Sequence, residues 1–271
     1  MALVRLPDPY DFELSTARYR TWGRDLANLW DDGALWRAVG GREVRIAATP
    51  GGIDVEPLDE ETGAVARKLL GAEFDLDPFY AFAATDPVLA GVVDGLRGLR
   101  PPVAPDPFES LITSITAQQV SLHAAFAIRS RLVERFGERA GRVWSFPTRE
   151  RLALAAESEL VQLGFSRRKA EYALGLARAE IDLDGLTLLS DDEVRSQLVA
   201  LRGIGEWTAE WFLARHLARP RAWPVGDVGL RKAVAHFYGD HDERAARSRF
   251  EPFENLSAHY LLAGLYSGSG S

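Results

Sequence analysis

Asp227 stands nineteen residues beyond Thr208, in the segment Trp223-Pro224-Val225-Gly226-Asp227-Val228-Gly229-Leu230-Arg231-Lys232. An aspartate at such a junction reads first as the N-cap of the helix that follows, and a helix start complements its negative charge. The same carboxylate can stabilise a cation or hold a water against it. Upstream, Leu201-Arg202-Gly203-Ile204-Gly205-Glu206-Trp207-Thr208-Ala209 has the form of two helices joined by a two-glycine hairpin. Glycines let the backbone approach a phosphate closely, and the free N–H groups opening the second helix bind the anion. A dinucleotide-binding Gly-x-Gly-x-x-Gly is the weaker reading, because position 208 is Thr and a helix rather than a strand comes before it. The plain alternative is a turn between packed helices. Trp207 and Trp211 lie one helical turn apart, suited either to stacking on a cationic ring or to a place in the core.

Composition narrows the chemistry. The 271 residues are 46% apolar and 26% charged, enough for one large domain or two to three small ones. With no cysteine, disulfide frameworks, thiolate metal sites, thiol nucleophiles and cysteine-held iron–sulfur clusters are excluded. His123, His216, His236, His241 and His259 show no metal-ligand spacing, and neither a Gly-x-Ser-x-Gly elbow nor a P-loop is present. No side-chain metal site and no cofactor are expected. Lysine is scarce: Lys68, Lys169 and Lys232 are the only three, against 29 arginines. No apolar run approaches the ~20 residues of a membrane span, and the first residues lack a secretory apolar region. The expected setting is therefore cytoplasmic, with no membrane partner.

The net charge of −7 opposes a surface given over to polyanions, yet it is unevenly spread. Residues 1–100 carry 17 acidic and 11 basic side chains, whereas the remainder carries 22 and 21. Between 110 and 150, Arg129, Arg131, Arg135, Arg139, Arg142 and Arg149 face only Glu134, Glu138 and Glu150. This stretch reads as a basic patch.

The elements that must position these residues fall into two textures. From Ala34 to Leu58, short β-prone runs punctuated by Gly-Gly and Pro-Gly-Gly predict three strands joined by tight turns. Helical-looking segments flank them, Ala17 to Trp30 before and Asp59 to Gly71 after, so residues 1–85 read as a small α+β domain. Beyond Pro101 the strand signals stop. Helix starts follow at Asp106-Pro107, Ser121, Thr148, Ser166, Ser190 and Asp227, each a capping residue before an amphipathic run. The predicted fold is mainly α after the α+β domain. Residues 106–227 would form the domain carrying the hairpin (201–211), residues 86–105 with 228–266 a second helical subdomain, and 267–271 a flexible tail.

Hairpin, intervening helix and Pro-Val-Gly-Asp with Leu-Arg-Lys after it together resemble the helix-hairpin-helix (HhH-GPD) DNA glycosylase superfamily, with its Gly/Pro-rich loop and catalytic Asp. Leu111 to Ser121, containing Gln118-Gln119-Val120-Ser121, looks like the superfamily's Gln-Gln-x-Ser stretch at the lesion. Leu163-Gly164 with Lys169-Ala170 is similar to its Leu-Gly-x-x-x-x-Lys-Ala helix start. Pro9-Tyr10-Asp11-Phe12 before a small α+β domain looks like the N-terminal module of the AlkA-type 3-methyladenine DNA glycosylase II group. The likeness runs from about residue 9 to 266.

That resemblance implies a monofunctional glycosylase of base excision repair. It would extrude an alkylated purine of the 3-methyladenine or 7-methylguanine type and hydrolyse its N-glycosidic bond, leaving an abasic site. Asp227 would stabilise the oxocarbenium-like sugar and orient or deprotonate the attacking water. Trp207, Trp211, Gln118, Phe253 and Phe12 would form the base pocket. Gln119, Ser121, Gly203, Ile204, Gly205, Thr208 and Arg168 would hold DNA, with a monovalent cation on the hairpin carbonyls as in the family. Relatives that also cleave the strand carry a Schiff-base lysine in the slot held here by Trp207, so no lyase step is expected. Pro252-Phe253-Glu254 departs from the family's Pro-Trp-Arg, and Arg18 and Trp22 depart from its aromatic pocket wall. The implied partners are duplex DNA bearing a damaged base and the enzymes that process the abasic product, the chain itself acting as a monomer near the nucleoid. Two alternatives stay open: the same scaffold acting on hypoxanthine or uracil, and a damaged-DNA-binding module in which Asp227 is only a cap.

Overall fold

A computed structural model describes residues 3–240 and 242–267. The N-terminal part is a five-stranded antiparallel sheet of β1 (Leu3–Val4), β2 (Asn28–Asp31), β3 (Ala34–Val39), β4 (Arg42–Thr49) and β5 (Gly52–Glu56), in the order β1-β5-β4-β3-β2. The predicted three strands are β3 to β5. Gly40 and Gly41, at φ of 54° and 73°, make the two-residue turn between β3 and β4, a left-handed pair that suits the twist of a hairpin. Helix Glu60–Leu69 packs on this sheet, burying Ala66 and Leu69 against Leu35, Val44, Ile46 and Ile53.

The expectation of a helix from Ala17 to Trp30 is corrected. Within that segment only Arg18–Thr21 is helical, following a separate short helix Phe12–Thr16, and Asn28–Asp31 is β2. Gly23, at φ of 118°, ends the helical turn. The Asp25 carboxylate then accepts from Ala27 N (3.0 Å) and Asn28 Nδ2 (3.0 Å), turning the chain so that Leu29 and Trp30 pair with Trp36 and Leu35. A second ribbon, Arg139–Ala140 with Val143–Trp144, also escaped the sequence reading, because two residues per strand leave no alternation to detect.

Beyond residue 100 the described chain is otherwise helical, and the capping signals are the helix starts. Asp106 accepts from Glu109 N (2.6 Å), Ser166 from Lys169 N (3.3 Å), and Ser190 forms a capping box with Glu193. Apolar packing changes between Leu70 and Phe74: one core lies under the sheet, the other runs from Phe74 to Leu262. Of the tail, Ser267 ends helix Glu254–Ser267, and 268–271 lie outside the described residues, as does His241. No helix among the described residues is long and apolar enough to cross a membrane.

Buried charges join the sheet to the helices. Glu109, 3% exposed, receives Arg37 of β3 (2.5 Å) and Arg129 of helix Leu122–Phe136 (2.6 Å), and Arg129 also reaches Asp25 (3.3 Å). Charges this deep persist only when paired and hydrogen-bonded. Both arginines hold the Glu109 carboxyl down at about 2, against the burial that would raise it.

Candidate active site

Asp227 caps helix Val228–Tyr238 through Oδ1, which accepts from Leu230 N at 2.9 Å. Its other oxygen accepts two indole N–H groups, from Trp207 at 2.9 Å and Trp211 at 3.1 Å. One side chain thus gives one oxygen to the helix cap and the other to the two indoles. One helical turn separates the two tryptophans on helix Glu206–Arg215, so both indoles converge from one face. The loop that delivers Asp227 is fixed from two sides. Buried Glu210 accepts Trp223 N (2.8 Å) and Arg195 Nε (2.7 Å), while Glu243 accepts Gly226 N (2.9 Å).

At the hairpin, Gly203 has φ of 88°, and a Cβ there would collide with the Tyr172 ring. Both conformation and space demand glycine. Gly205 caps helix Glu206–Arg215 without a side chain, and the amides of Gly203, Gly205, Glu206 and Trp207 find no acceptor among the described residues. Unpaired amides gathered at a helix start are the arrangement that suits an anion. Lys169 Nζ donates to Thr116 O (2.9 Å), tying helix Arg167–Arg178 to helix Pro107–Ala117. Burial lowers the pKa of this amine.

Residues 112–256, more than half of the chain, match the model of the HhH-GPD superfamily of base excision DNA repair proteins. The chain belongs to this superfamily. It is 33% identical over 193 residues to a DNA-3-methyladenine glycosylase of Bacillus subtilis, covering 67% of this chain and 64% of that protein. The chain thus spans somewhat less than two thirds of that curated relative. A 3-methyladenine DNA-glycosylase from Archaeoglobus fulgidus has a similar structure, with a TM-score of 0.86 and 26% identity over 100% of this chain and 99% of the other. A 3-methyladenine DNA glycosylase of Schizosaccharomyces pombe, solved with abasic DNA, superposes at a TM-score of 0.58 with 25% identity, over 67% of this chain and 92% of that one.

Within this superfamily fold, the structure places the expected site residues unevenly. Trp207 is half-buried, with its indole N–H on Asp227. Trp211 is 3% exposed, with the Arg215 guanidinium 3.4 Å from its ring centroid and His259 edge-on at 5.6 Å. It is a donor to Asp227 rather than a platform for a base. Gln118 is turned to the hairpin: its Nε2 donates to Gly203 O (3.0 Å) and Thr208 Oγ1 (3.2 Å). The Thr208 hydroxyl is consequently buried and cannot reach a phosphate. The implied cation on the hairpin carbonyls would share Gly203 O with the Gln118 amide, whereas the carbonyls of Arg202 and Ile204 keep no protein donor among the described residues. Ile204 is a core side chain, so only its backbone belongs to the hairpin surface.

Gln119 is exposed, at φ of 54°, on the turn after helix Pro107–Ala117, and Ser121 caps the next helix through Ala124 N (3.3 Å). Arg168 is exposed and has no ion pair among the described residues. Two pocket expectations are corrected. Phe12 lies in the core under the sheet, 5.8 Å from Trp30, and Phe253 packs on Phe82 (5.3 Å) and Phe79 (6.0 Å). Glu254, the departure from Pro-Trp-Arg, is fully buried between Arg221 (3.5 Å) and Arg247 (3.7 Å). Around Asp227 the structure gathers Arg215, His259, Tyr266, Arg18 and Trp22 instead.

The predicted basic patch is largely spent inside the protein. Arg129 pairs with Glu109, Arg135 with Glu159 and Arg142 with Asp31, while Arg131 and Arg149 donate to backbone carbonyls. The exposed cations near the hairpin and Asp227 that form no ion pair among the described residues are Arg167, Arg168, Arg231 and Lys232. Measured by fluorescence anisotropy against salt, the logarithmic slope for duplex binding should be about −4 or shallower. A slope near −8 would mean that other arginines leave their partners to reach phosphate.

Proposed function

We propose that this chain is a monofunctional DNA glycosylase that extrudes an alkylated purine from duplex DNA and hydrolyses its N-glycosidic bond. The observation that carries this reading is the convergence of the Trp207 and Trp211 indole N–H groups on Asp227, beside a hairpin with free amides, in a chain of this superfamily. The relatives named as 3-methyladenine glycosylases supply the substrate class.

N-alkylated purines carry positive charge and leave readily, so the protein need not protonate them. Its work is to hold the base and to stabilise the sugar as the C1′–N bond breaks. The amides of Gly203, Gly205, Glu206 and Trp207 take a phosphate, and Gln119 fills the gap in the stack. The exposed part of the Trp207 ring stacks on the cationic base. Asp227, its orientation fixed by three donors, faces the developing oxocarbenium charge and directs a water to C1′; the water's proton leaves to solvent, and the free base and an abasic sugar remain. The chain acts as a monomer on DNA near the nucleoid, and a separate enzyme takes over the abasic product.

The lyase slot gives this reading a sharp test. Trp207 offers no amine, and Lys169 is held on Thr116 O. A duplex with one 7-methylguanine should acquire sites that break only on treatment with alkali, and borohydride should trap no protein–DNA adduct. Strand breaks before alkali, or a trapped adduct, would contradict a single hydrolytic step.

A further inference from the structure

Arg215 ends the helix that carries both tryptophans, and its guanidinium covers the face of Trp211. Its Nε donates to His259 Nε2 (3.3 Å), and His259 Nδ1 donates to Asn255 O (3.0 Å), which fixes the imidazole tautomer. Burial and the neighbouring Arg215 charge hold this imidazole neutral, with its pKa pushed down to about 3. It cannot become a second cation, nor is it a counter-ion. No carboxylate of the described residues forms an ion pair with Arg215, and its Nη1 and Nη2 atoms have no protein acceptor, yet they are not sealed from solvent. Arg18, stacked over Phe126 at 5.6 Å, is likewise without an ion pair among the described residues, and its charge acts on the Arg215 guanidinium. Burial depresses the pKa of both.

Two half-buried cations with no ion pair among the described residues carry a desolvation cost that something they bind would offset. Asp227 lies across a single indole from Arg215: the guanidinium covers the Trp211 ring whose N–H binds the carboxylate. Tyr266 Oη and Asp227 Oδ1 both come within 3.1 Å of the position that a Cβ on Gly229 would take, so the phenol borders the same space. A base held against Trp207 beside Asp227 would present one edge to the free Nη–H donors. Donors reject an amino group and accept a carbonyl, and the O6 edge of guanine is the ordinary partner of a guanidinium.

Resting on the glycosylase reading above, we infer that Arg215, backed by Arg18, is a specificity residue that donates to the 6-carbonyl of an extruded purine and favours 6-oxo over 6-amino alkylpurines. 7-Methylguanine and 3-methyladenine are suited to the comparison. Both are cationic as nucleotides, and they differ at position 6 in offering an acceptor or a donor.

The test is single-turnover release of each base from duplex DNA, each rate divided by its spontaneous rate, for wild type, Arg215→Met and Arg18→Met. Wild type should show the larger enhancement for 7-methylguanine. Arg215→Met should lose at least about tenfold more of the 7-methylguanine enhancement than of the 3-methyladenine enhancement, in line with one lost base-edge contact. Arg18→Met, which leaves the stack on Trp211 intact, should shift the ratio in the same direction by a smaller factor, so the inference does not hang on the folding of one variant. Equal losses for both bases would show that Arg215 only supports Trp211, and a wild-type preference for 3-methyladenine would reverse the assignment; either result overturns the inference. Release of neither base by wild type would overturn the glycosylase reading itself, and with it this proposal.

Discussion

Asp227→Asn should lower the single-turnover rate of base release by about 10²–10⁴-fold while leaving affinity for damaged duplex intact or improved. The reason lies in the three donors around the carboxylate. Oδ2 accepts Trp207 Nε1 and Trp211 Nε1, and Oδ1 accepts Leu230 N. An amide can offer an oxygen to one side only, so its NH2 must face either the indoles or the helix start. The first choice opposes donor to donor, and the second gives up the cap at about 1 kcal/mol. Either way the negative charge facing the sugar is gone. Single-turnover kinetics with one lesion, paired with anisotropy for binding, measures both halves of this expectation. Turnover within threefold of wild type would remove Asp227 from the chemistry and leave it as a cap.

Glu109→Ala should destabilise the fold by about 3–5 kcal/mol, because it leaves Arg37 without a carboxylate and Arg129 with Asp25 alone. Denaturant midpoints with unchanged slopes would report this directly. The pH dependence follows from the same geometry. Arg37 and Arg129 overcome the burial penalty and hold the folded-state pKa of Glu109 at about 2, below the ordinary 4.5. A depressed carboxylate adds stability that is complete above its unfolded pKa and is lost as protons bind on the way down. Wild type should therefore lose more stability than Glu109→Ala between about pH 4.5 and 2, and the two curves should converge toward acid. Parallel curves would show that Glu109 contributes nothing through its charge.

The parts of this molecule legible in its sequence share a property: each is local. Ser166, Ser190 and Asp227 cap helices because their own side chains reach N–H groups three residues on, which no distant packing needs to supply. The hairpin likewise announces itself through Gly203 and Gly205. Ala17 to Trp30 misled because apolar spacing alone does not separate a helix from a short strand, and β2 exists only through its partner β3.

The site's surroundings were harder still to read. Glu210 and Glu243 fix the Asp227 loop through backbone N–H groups, so nothing in their own neighbourhoods marks the role, although an acid inside the apolar run Ala209 to Ala214 was a signal. Arg18, Arg215, His259 and Tyr266 come from three separated segments and meet only in the folded chain. Phe12 and Phe253 illustrate the reverse error. Each lies in or next to a familiar motif, yet each side chain ends in packing, since an aromatic ring serves a core as readily as a pocket.

The most direct test of the central claim is chromatography of the small molecules released when wild-type protein meets duplex DNA carrying 7-methylguanine and 3-methyladenine. The geometry around Asp227 predicts free alkylated purines in the filtrate, one alkali-labile site per base released, and strands that stay whole until alkali is added. Tight binding of the damaged duplex with no free base would contradict it, and would leave a DNA-binding module in which Asp227 serves only to start a helix.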